Sequence, residues 1–498
     1  MAGSRARSAV VDLGSNSVRL VVFEGSGRNP VAIFNERAVL RLGRGLEATG
    51  RLNDEGVAAA LTVMHRYYEI ARAMGADPLE VLATAAVRDA SNGKCFVAGL
   101  RDRMPGVPIR IISGDEEAAL AAAGMLCGIP EADGILADIG GGSLEIVRLH
   151  GGRAGPAQTL KLGVIRLADR CGGDLVRARA LAEADLGGVT WLSQHPGRDL
   201  YLVGGAWRAL ARIHMAQTAY PLAIVHHYTI SRDEARDLTA LIGGAARRVL
   251  EKLPGAPRRR LDDLPYAAIV LRRVLRATGA RRVVFSANGI REGWYMSHLP
   301  VGVVADDPVL VASRDLGEVA GRDAAMPAAL ILWTAPLFAD ETTGAARLRK
   351  AACLLSDIGS HDHPEYRAEQ AYLRVLRQPG IALDHHGRAF LALTIAIRYE
   401  ADPLATMLST ACQLLDAQAV HRATVLGHAL RLAYVLSAGT LPLLSGTALA
   451  LSNGVLRLIL TANGGAFLGE GVTRRLERLA GSMALGCEIV TTDTFASH

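Results

Sequence analysis

Two short segments of this chain hold the residue types that bind phosphate: Asp12-Leu13-Gly14-Ser15-Asn16-Ser17 and Asp138-Ile139-Gly140-Gly141-Gly142-Ser143. Each follows an apolar run, so the aspartate falls at a strand end and the glycines make the turn. Glycine lets the backbone come close to an anion, and turn amides left free converge on it. Ser15, Asn16 and Ser143 add side-chain hydrogen bonds to phosphate oxygens. One such loop is an ordinary tight hairpin. Two of them in a repeat predict a phosphate cleft, with Gly14, Ser15, Asn16, Gly141, Gly142 and Ser143 as its cradle. The carboxylates of Asp12, Asp138 and Glu145 are the expected holders of a hard cation such as Mg²⁺, which takes one or two carboxylates and shares substrate phosphates. No G-x-x-x-x-G-K-S/T segment is present, so the site is not of the Walker type.

Three further segments fit the same chemistry. Thr84-Ala85-Ala86-Val87-Arg88 follows an apolar strand, which brings Arg88 out at a strand end, where cleft residues sit. Gly204-Gly205 opens a helix after a strand, a third anion cradle. Ser113-Gly114-Asp115-Glu116-Glu117 places carboxylates at a helix start, and for Asp115 and Glu116 compensation of the helix N-terminus accounts for the charge.

The elements that must position these groups come from a duplication. Residues 8–23 (SAVVDLGSNSVRLVVF) align without gaps on 134–149 (GILADIGGGSLEIVRL) at an offset of 126, each reading as a hairpin. After them, strands alternate with helices. The pattern predicts a helix over 57–74, strands at 79–83 and 107–112, and a helix over 116–125. In the second copy a strand at 199–203 leads into a helix to about residue 216, and a last strand spans 282–286. This is an α/β protein with two facing lobes, expected at 1–126 and 127–298. Beyond Pro300 the pattern is Ala/Leu-rich and helical, expected over 299–434. A strand at 455–460 and a helix at 473–483 give a small terminal α/β piece over 435–498.

Composition narrows the class. The 498 residues are 50% hydrophobic and 21% charged, which excludes a disordered chain. No apolar run reaches the length of a membrane span, and the N-terminus lacks a signal-peptide core. Six cysteines lie far apart with no C-x-x-C pair, which reads as reduced thiols and a cytoplasmic protein. Net charge is +6, and only four of the 55 basic residues are lysines. Arginine forks bind phosphate bidentately, so the excess fits an anionic partner, although codon bias toward Arg and Ala explains its bulk. Nothing here predicts nucleic-acid binding.

The order and wording of these motifs resemble the exopolyphosphatase/guanosine pentaphosphate phosphohydrolase (Ppx/GppA) family of the actin/hexokinase-like superfamily. The residues that carry the resemblance are Val11–Ser17, Ala83–Arg88, Ile112–Ala118, Asp138–Glu145 and Gly289-Ile290-Arg291-Glu292-Gly293. It implies a two-lobed, duplicated actin-like core that removes terminal phosphate from a phosphoanhydride chain. By the family's pattern Glu117 is the base that activates water, Asp138 and Glu145 bind or orient Mg²⁺, and Asp12 assists through solvent. The two loops, with Gly204 and Gly205, cradle phosphates, and Arg88 stabilises charge on the transferred group. The implied substrate is inorganic polyphosphate, with guanosine pentaphosphate as the sister substrate. A sugar or acetate kinase and a non-catalytic polyphosphate or alarmone sensor are the remaining alternatives. Basic groups expected to continue the chain path are Lys161, Arg166 and Arg258–Arg260.

Two departures accompany the resemblance. Where the family commonly has Gly-Gly-Thr-Ala-Arg, this chain has Gly204-Gly205-Ala206-Trp207-Arg208, which predicts a buried Trp207 and leaves the loop without its hydroxyl. The helical region resembles an HD-type module at Leu354–Gly359, but Ser356 stands where a metal-binding histidine would precede Asp357. Even with His361, His363, His385 and His386 nearby, the expectation is a structural module that supports a homodimer.

Overall fold

The computed structural model describes residues 6–194, 196–319, 321–379, 382–461 and 468–492. The chain divides into two compact units, Met1–Asp306 and Asp307–His498.

The first unit holds both copies of the repeat. β1 (Arg7–Leu13), β2 (Ser17–Glu24) and β3 (Val31–Val39) form an antiparallel meander. β4 (Leu79–Ala83) and β5 (Ile109–Ile111) add in parallel on the other side of β1, giving the order β3-β2-β1-β4-β5. The second copy repeats this plan. β6 (Gly134–Ile139), β7 (Leu144–His150) and β8 (Arg153–Leu160) form the meander, and β9 (Asp199–Val203) pairs parallel to β6. β10 (Tyr228–Ser231) and β11 (Arg282–Phe285) complete the order β10-β11-β9-β6-β7-β8, with β11 parallel to β9 and β10 antiparallel at the edge. The duplication read from one hairpin therefore extends to whole sheets. Val11, Leu13, Leu20 and Val81 are fully buried in the first core, and Leu144, Ile146, Leu200 and Phe285 in the second.

β3 and β8, absent from the sequence reading, are the exposed strands. Every residue of β3 is at least partly exposed, and Val31 and Val39 are about half so. Without a buried face there is no period-2 apolar signal to detect.

Two helices connect the copies, Gly114–Gly128 and Ile290–Ser297. They cross at glycines: a Cβ on Gly124 would stand 1.8 Å from the Gly289 carbonyl oxygen, and one on Gly293 would stand 1.9 Å from that of Leu120. Trp294 and Tyr295 of the second helix pack with Val10 and Phe23 of the first sheet. Gly124→Ala is expected to push this crossing apart and destabilise the unit by about 1–3 kcal/mol, as overpacking does. A lowered midpoint in guanidinium unfolding checks it.

The second unit is helical, with Thr343–Leu355, His385–Arg398 and Ala417–Ser437 among its longer helices. It ends in a sheet of order β12-β13-β14, where β12 (Thr447–Ser452) is antiparallel and β14 (Gly486–Thr492) parallel to β13 (Val455–Thr461). Around the expected degenerate metal position, Asp357 accepts from Arg322 Nη2 at 2.8 Å and Nε at 3.0 Å, and Arg398 lies 3.5 Å away. The Arg398 guanidinium sits over the Tyr399 and Tyr434 rings, 4.0 and 3.9 Å from their centroids. Ser356 Oγ is 3.0 Å from the Tyr434 hydroxyl. Guanidinium groups hold the carboxylate there, and His361, His363 and His386 are exposed.

Candidate active site

The two Gly loops are the same turn made twice. Gly14 N–H donates to Ser17 O at 3.1 Å, and Gly140 N–H donates to Ser143 O at 3.0 Å. These turns leave the amides of Ser15, Asn16, Gly141, Gly142 and Ser143 without a partner among the described residues. The loops touch. A Cβ on Gly142 would stand 2.6 Å from Ser15 Oγ, which only glycine avoids. Between them lies a cleft of about 160 Å³, lined by both loops together with Asp12, Glu117, Asp138 and Glu145. Gly204 and Gly205 line it too, at the start of the helix Gly205–Gln217. Gly204 needs its positive φ of 118°, and a Cβ there would lie 2.4 Å from Ile139 O.

Sheet register explains the carboxylates. Asp138 and Glu145 are direct cross-strand partners on β6 and β7, so their side chains emerge together on one face. Their counterparts in the first copy, Asp12 and Arg19, are cross-strand partners as well. Duplication has thus set two carboxylates on one wall and a carboxylate with an arginine on the other. Burial pushes Asp138 up to about 6, against the pull of Arg208, and raises Asp12 above the usual carboxylate range. Burial, with Glu117 and Asp138 close by, raises Glu145 well above its ordinary value. Glu145 Oε1 is buried with no hydrogen-bond partner among the described residues. A buried carboxylate oxygen in that condition calls for a cation or a proton.

Glu117 sits in the first turns of the helix Gly114–Gly128, which Ser113 and Glu116 cap reciprocally. Its Oε2 accepts from Arg88 Nη1 at 3.1 Å. Burial raises it to about 7; Arg88 opposes this shift, and Asp138 and Asp12 add to it. A carboxylate in that range at a phosphate cleft is poised to accept a proton from water.

Arg88 is placed differently from the expectation. It is absent from the cleft lining, and its guanidinium is taken up by Glu117 Oε2 and, at 2.9 Å, by Ile112 O. Its contact is with the base. Positive charge in the cleft comes instead from Arg19, Arg37, Arg208 and Arg291, which the motifs did not single out, and from Arg260, which the sequence places on the chain path. Burial, with other arginines close by, lowers Arg208 to about 9 and Arg19 and Arg260 each to about 10. Arg19 could have been found, because it is the repeat partner of Glu145. Arg208 and Arg291 stand inside quoted motifs. Trp207 is fully buried, with its indole N–H on Ala267 O at 3.0 Å, as its aromatic bulk required.

The model of the Ppx/GppA phosphatase family matches residues 20–301. This chain belongs to that family. The exopolyphosphatase C-terminal model matches residues 309–489. Exopolyphosphatase 2 of Mycobacterium tuberculosis is 27% identical over 313 residues, covering 58% of this chain and 98% of the relative. Among solved structures, an exopolyphosphatase from Cytophaga hutchinsonii superposes with a TM-score of 0.53 at 22% identity, over 58% of this chain and 96% of its own. The Ppx-GppA enzyme of Aquifex aeolicus gives 0.51 at 22% identity, over 59% and 99%. These likenesses show the shared fold, and membership of the family makes the protein a hydrolase.

Proposed function

We propose that the protein is an exopolyphosphatase that releases terminal orthophosphate from inorganic polyphosphate by attack of water. The observation that carries this is the juxtaposition of two loops of free amides with a carboxylate raised to about 7. The amides and the Ser15 and Ser143 hydroxyls hold the terminal phosphoryl oxygens. Glu117 takes the proton from the attacking water, and Arg208 and Arg291 neutralise charge on the phosphates. Phosphoryl transfer requires little more than this positioning and neutralisation. Asp138 and Glu145, with Asp12 through solvent, are the residues that would hold Mg²⁺, and the unpartnered Glu145 oxygen fits that assignment. Bound there, the cation would supply further neutralisation of phosphate charge.

Polyphosphate is favoured over a nucleotide because the cleft continues as arginines. Arg260 reaches it, and its guanidinium lies against Gly205, where a Cβ would come within 2.3 Å. The rest of the expected path divides: Arg258, Arg259 and Lys161 are exposed, and Arg166 is committed to carboxylates. A longer substrate neutralises more positive groups and loses more affinity as salt rises. KM for long polyphosphate is therefore expected to climb with salt more steeply than KM for tripolyphosphate. Equal slopes, or faster hydrolysis of guanosine pentaphosphate than of polyphosphate, would transfer the assignment to the nucleotide.

A further inference from the structure

Arg166 is a buried arginine whose ion-pair partners all belong to the other half of the first unit. It lies on the helix Val164–Cys171, is 6% exposed, and donates from Nη2 to Asp89 Oδ2 at 2.7 Å, with Glu47 Oε2 3.7 Å from its Nε. From the same helix Asp169 Oδ2 accepts the Gly45 amide at 3.0 Å. One face of one helix thus grips the first copy at two points.

Both ends of this grip lead into the active site. At its N-terminus the helix is tied to the second phosphate loop: Val164 N–H donates to Gly140 O at 3.1 Å, and Ile165 and Arg166 donate to Gly141 O at 2.9 and 3.1 Å. At the other end Asp89 Oδ1 lies 3.5 Å from Arg88 Nε, and Arg88 Nη1 is 3.1 Å from Glu117 Oε2. Charges alternate along this row: Arg166, Asp89, Arg88, Glu117. Each inner group is shared by two opposite charges, so removing one end changes how strongly the next pair binds. Without Arg166, Asp89 draws Arg88 toward itself and away from Glu117. Without Asp89, Arg166 is left buried with only the distant Glu47, and Arg88 loses the anchor on its Nε side.

We infer that Arg166 and Asp89 are positioning residues that align the base Glu117 through Arg88. The inference rests on the reading of Glu117 as the base. The row links the backbone of the second phosphate loop to the side chain of the base, so the helix that holds the loop also holds Glu117 in line. Arg166 then serves catalysis without touching substrate.

Steady-state kinetics of the full chain on tripolyphosphate tests this with R166Q, R166K, D89N and the R166Q/D89N pair. Misalignment of a catalytic group is expressed in kcat, so R166Q and D89N are each expected to lose about tenfold or more there. KM should stay within about twofold, because no contact to substrate is removed. Residues acting through one contact are non-additive, so the double variant should be no slower than the worse single one. R166K, which keeps the charge, should recover part of the loss. Full kcat in a folded R166Q or D89N, multiplicative losses in the pair, or a raised KM with kcat preserved would each overturn the inference. The last result would return Arg166 to the substrate path. Thermal unfolding of every variant identifies any that fails to fold, and R166K with D89N then decides. Loss of all phosphate release in the wild type would instead sink the reading of the site, so the two failures are separable.

Discussion

Glu117→Gln is expected to abolish turnover while leaving substrate binding in place. The substitution is isosteric, and its amide oxygen still accepts from the Arg88 guanidinium that contacts Glu117 at 3.1 Å. What is lost is the ability to take a proton from water, a contribution of about 10²–10⁴-fold. The phosphate loops and arginines are untouched, so KM should change little. The wild type should also reveal the base through pH. Burial holds the Glu117 carboxyl protonated up to about 7, above its ordinary range, and only the deprotonated form accepts a proton. The kcat/KM profile, which reports the free enzyme, should therefore fall as pH drops through that region rather than near 4.5. More than about a tenth of wild-type kcat in the variant would remove Glu117 from the role.

The parts of this site that were legible in the sequence are those in which local geometry and chemistry coincide. An apolar strand, an aspartate and a glycine turn specify both the loop and its free amides, so Asp12, Asp138 and the two cradles could be read directly. Glu117 could not be separated from Asp115 and Glu116 by spacing, since all three suit a helix start; the family resemblance singled it out. The structure supplies the physical distinction, because Glu116 turns back to cap the helix and pairs with Arg110, whereas Glu117 is buried against Arg88. Arginine destinations were the least legible. Whether an arginine meets phosphate or carboxylate depends on partners remote in sequence, and Asp89 lies 77 residues from Arg166. Arg37 comes from β3, the exposed strand that carries no apolar period, and its Nε donates to Ser17 Oγ at 2.9 Å beside the first loop.

Asp138→Asn is expected to remove activity and Mg²⁺ dependence together. Asp138 and Glu145 emerge side by side from paired strands, and burial disfavours charge on both. Two buried carboxylates stay ionised together only with positive charge between them. On the opposite wall the register that would supply a second such pair holds Asp12 and Arg19 instead, so the wall bearing β6 and β7 is the one with a cation deficit. An asparagine at 138 keeps the shape, removes one negative charge and relieves Glu145 of its neighbour's repulsion. The cation then loses the anionic partner that fixes it beside the phosphates, while the loop amides that hold the phosphates remain. Calorimetric titration of Mg²⁺ into the folded variant should show binding weakened relative to wild type, and phosphate release should be close to background at every Mg²⁺ concentration. Glu145→Gln should behave alike, since it removes the other negative charge of the cross-strand pair. A variant that kept both its activity and the wild-type Mg²⁺ titration curve would show that these carboxylates hold no metal, and the charge on the phosphates would then have to be met by the cleft arginines.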